Sequence, residues 1–233
     1  MAEREPAASA GADLLGQVPG QVLGRRESIG LGTLARVQAA IRENADELSR
    51  LDAAIGDGDH GYNLARAFHE AMVAVERLPE QSPVAALTAT GEALHAIECL
   101  AAGFYAAGCL RAAQALPAER TPSTRDLAAA FAAGVAAIQA EGHAVPGNKT
   151  MVDALRPAAD ALLAAVAEDA ALALALDRAA AAARAGMAAT TAMPGVFGRA
   201  GTLGNAAIGR LDPGATSAYL IVQALAHAAH ALP

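Results

Sequence analysis

Residues 51–63 read Leu-Asp-Ala-Ala-Ile-Gly-Asp-Gly-Asp-His-Gly-Tyr-Asn, an acidic and glycine-bearing stretch around which the chain is organised. Asp52, Asp57 and Asp59 fall within eight residues that contain no lysine or arginine. Carboxylates this close repel one another unless protons or a cation intervene, and Mg²⁺ favours such oxygen ligands. A solvated Asp-Gly turn is the alternative, because Asp and Gly are common turn residues. The spacing alone leaves both interpretations open.

Helical periodicity flanks this acidic loop on both sides. Apolar residues recur at helical intervals: Leu34, Val37, Ile41, Leu48 and Leu51 before the loop, and Leu64, Phe68, Met72 and Val75 after it. The pattern predicts one helix over residues 31–51 and a second that begins near Gly61 or Tyr62. The loop therefore lies just before a helix N-terminus, whose free backbone N–H groups are a natural seat for phosphate.

The rest of the chain repeats this pattern. A third helix is predicted from about Val84, and the run 91–116 is predicted as helix, with an interruption near Gly103 left open. Further helices are predicted over residues 126–140, 151–167, 170–185 and 215–231. No stretch alternates polar and apolar residues as a strand would. The sequence thus predicts about eight helices in one all-α domain, with alternate loops gathered at one end.

Composition narrows the class of protein. Apolar residues make up 54% of the chain and aromatic residues only 3%, with alanine prominent, which favours closely packed helices. The net charge of −7 argues against nucleic acid as a partner. The most apolar stretches are broken by charged residues, so no membrane span is expected. Residues 1–28 are predicted to be a flexible leader, and residues 29–233 to form the domain.

Cys99 and Cys109 are the only cysteines in the sequence. Both fall in one predicted helix, whose rise separates their backbones by about 15 Å, beyond the reach of a disulfide. Two buried, reduced thiols are therefore expected, as in a cytosolic protein. Among the histidines, only His60 is given a site role, because it adjoins the carboxylates.

Three later stretches resist a purely structural interpretation. Residues 147–151, Gly-Asn-Lys-Thr-Met, suggest a phosphate loop but lack the Walker spacing. Arg199 lies between glycines in a segment without helical periodicity, where a surface arginine is an equal alternative. Residues 212–217 read Asp-Pro-Gly-Ala-Thr-Ser, a helix entrance with Asp212 as N-cap and Pro213 at the first helical position. The N–H groups of such an entrance are equally suited to a ligand.

Together these stretches resemble the L subunit (DhaL) of dihydroxyacetone kinases. Residues 51–63 resemble that family's signature, and residues 147–153, Gly-Asn-Lys-Thr-Met-Val-Asp, resemble its second motif. Its C-terminal block is similar to Gly198-Arg199-Ala200, Leu203-Gly204, Ile208-Gly209 and the run 212–217. The resemblance spans about residues 31–233 in the family's order, and four ordered motifs are more specific than any one of them.

The resemblance implies an antiparallel eight-helix barrel that holds a nucleotide at one end. It implies that Asp52, Asp57 and Asp59 ligate two Mg²⁺ ions and that these residues and Arg199 act in catalysis. The nucleotide contacts that it implies are His60, Gly61, Tyr62, Asn63, Leu100, Ala101, Gly142, Met151, Arg199, Asp212, Pro213 and Gly214. The implied chemistry is phosphoryl transfer to dihydroxyacetone or a similar short ketose, with ADP or ATP as the nucleotide.

The resemblance also implies partners. The family holds dihydroxyacetone on a separate K subunit or domain, for which 233 residues leave no room, so a K subunit is expected. ATP and a phosphohistidine protein of the sugar phosphotransferase system are both candidate phosphoryl donors. A homodimer, a cytoplasmic location, and no contact with nucleic acid or membrane complete the expectations.

One stretch departs from the family pattern. Where members carry Gly-Gly-Ala-Ser-Gly beside the nucleotide, residues 98–102 read Glu-Cys-Leu-Ala-Ala. Glu98 and Cys99 replace glycines that permit close backbone approach, and a carboxylate there opposes phosphate. Two hypotheses follow: an active L subunit, or a catalytically impaired relative that acts as a binding or regulatory partner. Magnesium-dependent binding of ADP or ATP separates them.

Overall fold

The computed structural model describes residues 29–80 and 82–231, so the predicted leader over residues 1–28 lies outside the described residues. Within these ranges the chain forms ten α-helices and no strand, which confirms the all-α prediction. The helices are α1 (Ile29–Glu43), α2 (Ala45–Ala53), α3 (His60–Glu76), α4 (Pro83–His95), α5 (Leu100–Ala115), α6 (Thr124–Gly142), α7 (Val152–Ala167), α8 (Leu172–Ala189), α9 (Gly198–Leu203) and α10 (Pro213–Ala229). None of the helices described is both long enough and apolar enough to traverse a bilayer.

Eight of these helices are long, and they form a closed ring. Each long helix packs against the next one along the chain, in the order α1, α3, α4, α5, α6, α7, α8 and α10, and α10 packs back against α1. The connections from α3 through α8 are short, which makes those packed neighbours antiparallel. The ring is the expected eight-helix barrel, with α2 and α9 as additional short helices.

Small residues allow the helices of the ring to approach closely. Ala67, Ala158 and Ala218 are completely buried in the core. Between α5 and α6, a Cβ added to Gly134 would lie 2.7 Å from the carbonyl oxygen of Gly108, so no side chain fits there. Close backbone packing of this kind gives a dense interior to a chain that has few aromatic residues.

The first predicted helix is divided in the structure. The expected run over residues 31–51 breaks at Asn44, which separates α1 from α2. The Asn44 side-chain amide donates to the Ala40 carbonyl (2.8 Å), a local hydrogen bond that competes with helix continuation. The glycine-bearing segment 194–213, which shows no helical periodicity, nevertheless contains α9 and a 3₁₀ turn at Gly204–Ala207.

The predicted run 91–116 is also divided, but not near Gly103, which lies inside α5. The break falls at residues 96–99, where Cys99 is extended (φ −146°) and directly precedes α5. Cys99 and Cys109 therefore do not share a helix. Both are free thiols, as predicted, but their residues are partly and not fully buried. Burial raises the pKa of the Cys109 thiol to about 12. This break places the N-terminus of α5 beside the functional site described below.

Alternate connections of the ring meet at one end of the barrel, as predicted. The connections after α2, α4, α6 and α8 line a common cavity, whereas those after α3, α5 and α7 join the helices at the opposite end. The first set contains the four sequence motifs and the divergent stretch 98–102. The fold therefore brings every segment that carries unusual chemistry to the same end.

Candidate functional site

A cavity of about 500 Å³ opens where the four connections meet. All of the predicted site residues line it except Asp57, Gly61 and Tyr62. Those that line it are Asp52, Asp59, His60, Asn63, Leu100, Ala101, Gly142, Met151, Arg199, Asp212, Pro213 and Gly214. Residues separated by more than a hundred positions in the chain thus contribute to one site.

The acidic loop gathers its three carboxylates at the edge of this cavity. Asp52, Asp57 and Asp59 each offer a carboxylate oxygen, and these oxygens lie within 4.8 Å of one another. Gly56 makes the arrangement feasible, because a Cβ there would lie 2.5 Å from Asp52 Oδ1 and 2.7 Å from Arg199 Cδ. The chemistry of three carboxylate oxygens suits Mg²⁺, the cation that the family resemblance implies.

Asp52 is the fixed member of the three carboxylates. Its side chain is only 3% exposed, and its Oδ2 accepts hydrogen bonds from the backbone N–H groups of Gly58 (3.0 Å), Asp59 (3.1 Å) and His60 (3.2 Å). A carboxylate at the start of α3 is also favoured by the helix dipole. Asp52 therefore presents its other oxygen, Oδ1, in a set direction.

The next two N–H groups of α3 have a different acceptor. Gly61 and Tyr62 donate to the hydroxyl oxygen of Ser49 at 3.1 and 3.3 Å. The expectation that this helix N-terminus offers free donors to phosphate is therefore wrong, because α2 satisfies them. Gly61 faces the Ala45 carbonyl, against which a Cβ would clash, and the Tyr62 hydroxyl donates to Asp46 (3.0 Å). Both residues accordingly lie beside α2 and outside the cavity lining.

Arg199 binds the exposed end of the acidic loop. Its guanidinium forms an ion pair with Asp57, and each side chain is 50% exposed. Hydrogen bonding to Arg199 lowers the pKa of Asp57, and the same contact raises the pKa of Arg199, with further support from Asp52 and Asp59. The structure thus joins the first motif to the C-terminal block through the guanidinium of Arg199, which contacts Asp57.

His60 belongs to a buried polar chain between α3 and α10. Its Nε2 lies 3.0 Å from the Ser217 hydroxyl, which in turn lies 2.8 Å from the Tyr105 hydroxyl and donates to the Gly214 carbonyl (3.0 Å). Burial lowers the pKa of His60 to about 4, so the imidazole is neutral at neutral pH. His60 is therefore a neutral hydrogen-bonding group at the base of the cavity.

Lys149 and Arg210 together tie three of the site connections to one another. Lys149 is almost completely buried, has a left-handed backbone (φ 60°), and donates from Nζ to the Thr190 and Arg210 carbonyls, each at 2.5 Å. Arg210 in turn donates to the Ala54 carbonyl in the acidic loop. Burial lowers the pKa of Lys149. Unlike the lysine of a Walker loop, this side chain is held by carbonyl oxygens of its own fold.

Asp212 is the N-cap of α10, as predicted. Its Oδ2 accepts from the Ala215 N–H (2.7 Å), and its own N–H donates to the Thr190 hydroxyl (3.1 Å). Burial raises the pKa of Asp212 to about 7, against opposing contributions from the Ala215 N–H and the nearby Lys149. A carboxyl that is mostly protonated near pH 6 caps this helix.

Replacing Asp212 by asparagine is predicted to remove a pH dependence from stability. Between about pH 4 and pH 7 the native carboxyl keeps its proton, whereas the unfolded carboxyl, with a pKa of about 3.9, releases it. The wild type therefore loses stability as the pH rises through this window, by up to about 4 kcal/mol, and the Asp212→Asn variant does not. Urea unfolding of both proteins between pH 4 and pH 8 measures this difference.

Asp126 is a control for that experiment with the opposite sign. Its carboxylate accepts hydrogen bonds from Arg120 and Ser123, which lower its pKa. Its contribution to the free energy of unfolding is therefore present at neutral pH and is lost as the pH falls. The stability cost of Asp126→Asn should therefore shrink toward low pH. A constant offset between Asp212→Asn and wild type across the whole range would contradict the protonated cap.

The divergent stretch forms the entrance to α5. Glu98 and Leu100 are exposed and line the cavity, and Cys99 is the N-cap without a side-chain hydrogen bond to the helix. Ala101 is buried behind them. The Glu98 carboxylate thus stands where the family pattern has glycine, and the Leu100 side chain stands where it has alanine.

Several residues of the site were not predicted from the sequence. Lys149 lies within the second motif, which was the available signal, but its burial was not predicted. Ser217 lies in the C-terminal block and carried no role there. Ser49 and Phe104 lie within helical runs, and no spacing rule distinguishes them. Phe104 borders Gly142, where a Cβ would lie 3.5 Å from its ring, so the aromatic ring forms part of the cavity wall.

This chain is similar in sequence to known proteins over most of its length. The DAK2 domain matches residues 54–227. The ADP-binding subunit DhaL of the PEP-dependent dihydroxyacetone kinase of Escherichia coli (strain K12) is 32% identical over 84% of this chain and 94% of that protein. The corresponding ADP-binding subunit of the PTS-dependent enzyme of Lactococcus lactis is 36% identical over 80% of this chain and 90% of that protein.

A solved structure shares the fold. The dihydroxyacetone kinase of C. freundii in complex with AMP-PNP and Mg²⁺ matches with a TM-score of 0.68 and 27% identity. The match covers 97% of this chain but only 38% of the C. freundii chain, so the present sequence spans well under half of that enzyme.

Proposed function

Since the chain belongs to the DAK2 domain family, we propose that it is the ADP- or ATP-binding L subunit of a dihydroxyacetone kinase. In this proposal a phosphoryl group passes from the nucleotide to dihydroxyacetone, or a similar short ketose, held on a partner K subunit. The observation that carries the proposal is the convergence of three carboxylates and Arg199 at the edge of one cavity.

The side chains divide the work of binding a nucleotide. Asp52, Asp57 and Asp59 would hold two Mg²⁺ ions, which neutralise charge on the phosphate oxygens. Asp52 gives a ligand of fixed direction, because three backbone donors hold its other oxygen. Arg199 supplies a guanidinium for the transferred phosphoryl group. Apolar lining residues such as Phe104 accept the adenine base.

The rim of the cavity offers a surface for the K subunit. Exposed large apolar side chains from the surrounding connections are Leu100, Val145, Val196, Phe197 and Ile208. Apolar side chains grouped around a site edge are typical of a protein contact surface. A K subunit seated there would bring its bound ketose to the carboxylate end of the cavity. A homodimer remains a prediction without a comparable feature to support it.

Two donors of the phosphoryl group are compatible with this site. The names of the relatives, PEP-dependent in Escherichia coli and PTS-dependent in Lactococcus lactis, favour a bound ADP recharged by a phosphohistidine protein. Direct use of ATP is the alternative. With either donor, the proposal includes a cytoplasmic location.

Calorimetric titration with ADP, with and without Mg²⁺, tests the proposal. We expect saturable binding that requires Mg²⁺, because three carboxylates without a cation repel the phosphates. Absence of binding at millimolar ADP and ATP would refute the nucleotide role. Reconstitution with a K subunit then measures ketose phosphorylation, first with ATP and then with a phosphorylated carrier protein.

A catalytically impaired relative is the second candidate, and Glu98 favours it. This carboxylate lines the cavity where the family pattern has glycine, and it repels phosphate groups. Nucleotide binding without turnover in the reconstituted system would support a binding or regulatory role. Turnover with either donor would exclude it.

A further inference from the structure

We infer that Arg199 is an internal counter-ion that competes with the divalent cation for Asp57 and passes to the phosphate groups of the ligand when the cation binds. Only the second half, the transfer of Arg199 to phosphate, rests on the proposed function. The first half concerns the protein and a metal ion alone, and can be measured without any nucleotide.

The geometry places Arg199 within the carboxylate cluster. The guanidinium pairs with Asp57, and the aliphatic stem approaches so closely that a Cβ on Gly56 would lie 2.7 Å from Arg199 Cδ. The same hypothetical Cβ would lie 2.5 Å from Asp52 Oδ1. The Arg199 stem and the oxygen that Asp52 presents to a metal therefore border the same point beside Gly56.

The carboxylates differ in how firmly they are held. Asp52 is buried and accepts three backbone hydrogen bonds, so it cannot move without breaking them. Asp57 and Arg199 are each half exposed, so their ion pair can open into water at small cost. The cluster thus combines one rigid ligand with one that is shared between Arg199 and an incoming cation.

Charge decides the direction of the exchange. A guanidinium in contact with Asp57 and a divalent cation on the same carboxylate repel each other, so binding of the cation weakens the ion pair. The Arg199 side chain can turn away from Asp57, because half of its surface is already exposed to solvent. A phosphate brought by the ligand is the natural new partner for the released guanidinium.

The decisive experiment measures two affinities with opposite expected signs. Binding of Mn²⁺ alone is followed by the electron paramagnetic resonance signal of the free ion for wild type and Arg199→Gln. We expect the variant to bind Mn²⁺ about tenfold more tightly, because a competing positive charge has been removed. For ADP with saturating Mg²⁺ we expect the reverse, about tenfold weaker binding, because the phosphate loses its arginine.

Two further variants separate exchange from general effects of charge. Arg156→Gln removes an arginine of the same charge from an exposed ion pair with Asp160 on α7, and should change Mn²⁺ affinity less than about twofold. Arg199→Lys keeps the charge without the planar fork and should fall between wild type and Arg199→Gln in both measurements. Circular dichroism verifies that each variant is folded.

The outcomes distinguish this inference from the proposed function. Equal or weaker Mn²⁺ binding by Arg199→Gln would overturn the exchange, even if ADP binds as proposed. A second outcome is that Arg199→Gln binds Mn²⁺ more tightly than wild type, as expected, but wild type binds no ADP. This result would refute the nucleotide role and the transfer of Arg199 to phosphate. The competition at Asp57 would stand.

Discussion

Replacing Asp57 by asparagine is expected to lower Mg²⁺-dependent affinity for ADP by about 100-fold, which corresponds to roughly 2.7 kcal/mol. The change removes the charge of one of the three carboxylates but keeps the shape of the side chain. Asp57 is half exposed and makes its ion pair with Arg199 at the surface, so the fold should tolerate the change. Calorimetric titration with ADP at saturating Mg²⁺ measures the loss.

Two comparisons make the Asp57 result specific to the metal. In excess EDTA the variant should bind ADP no more weakly than wild type, because the carboxylate then only repels the phosphates. The matched control is Asp160→Asn on α7, which removes an equally exposed carboxylate from an arginine pair far from the cavity. If Asp57→Asn retained wild-type affinity in Mg²⁺, the acidic loop would not be the metal site.

Replacing Gly61 by alanine is expected to destabilise the fold by about 3 kcal/mol or more. A Cβ at this position would run into the Ala45 carbonyl group, with the carbonyl carbon 2.8 Å and the Cα 2.9 Å away. Backbone atoms cannot move aside as a side chain can, so α2 and α3 must separate. Urea denaturation followed by circular dichroism measures the shift in the unfolding midpoint.

Gly103→Ala is the control for the Gly61 substitution. Gly103 also lies in the first turn of a helix, α5, but no atom lies within 4 Å of its hypothetical Cβ. Alanine should therefore stabilise the protein by about 0.5–1 kcal/mol, through helix propensity alone. Equal effects of the two substitutions would show that Gly61 is not required for contact between α2 and α3.

The clustering in the acidic loop was predictable because its carboxylates are neighbours in the sequence. Asp52 lies at the end of α2, and Asp57 and Asp59 lie in the loop that follows, so all three fall within eight residues. The number of long helices followed from periodicity, whereas α2 and α9 were not predicted as separate helices. The meeting of alternate loops followed from the up-and-down arrangement of the long helices. Each of these properties depends on local chemistry and chain length.

The parts that could not be predicted depend on packing between distant segments. Whether α3 offers free N–H groups depends on Ser49, which reaches them only because α2 packs on α3. The break at residues 96–99 carries no glycine or proline to mark it. Lys149 belongs to a suggested phosphate loop in the sequence, and its burial against two carbonyl groups exists only in the assembled ring.

The alternation of connections along the ring divides the molecule into two poles with different tolerance for evolutionary change. The connections after α3, α5 and α7 are separated from the cavity by the length of a helix, roughly 24 Å for α5. Insertions there leave the carboxylates where they are. In the acidic loop a single added residue would separate Asp52 from the N–H groups that hold it. Length variation among related chains should therefore accumulate at one pole and be excluded from the other.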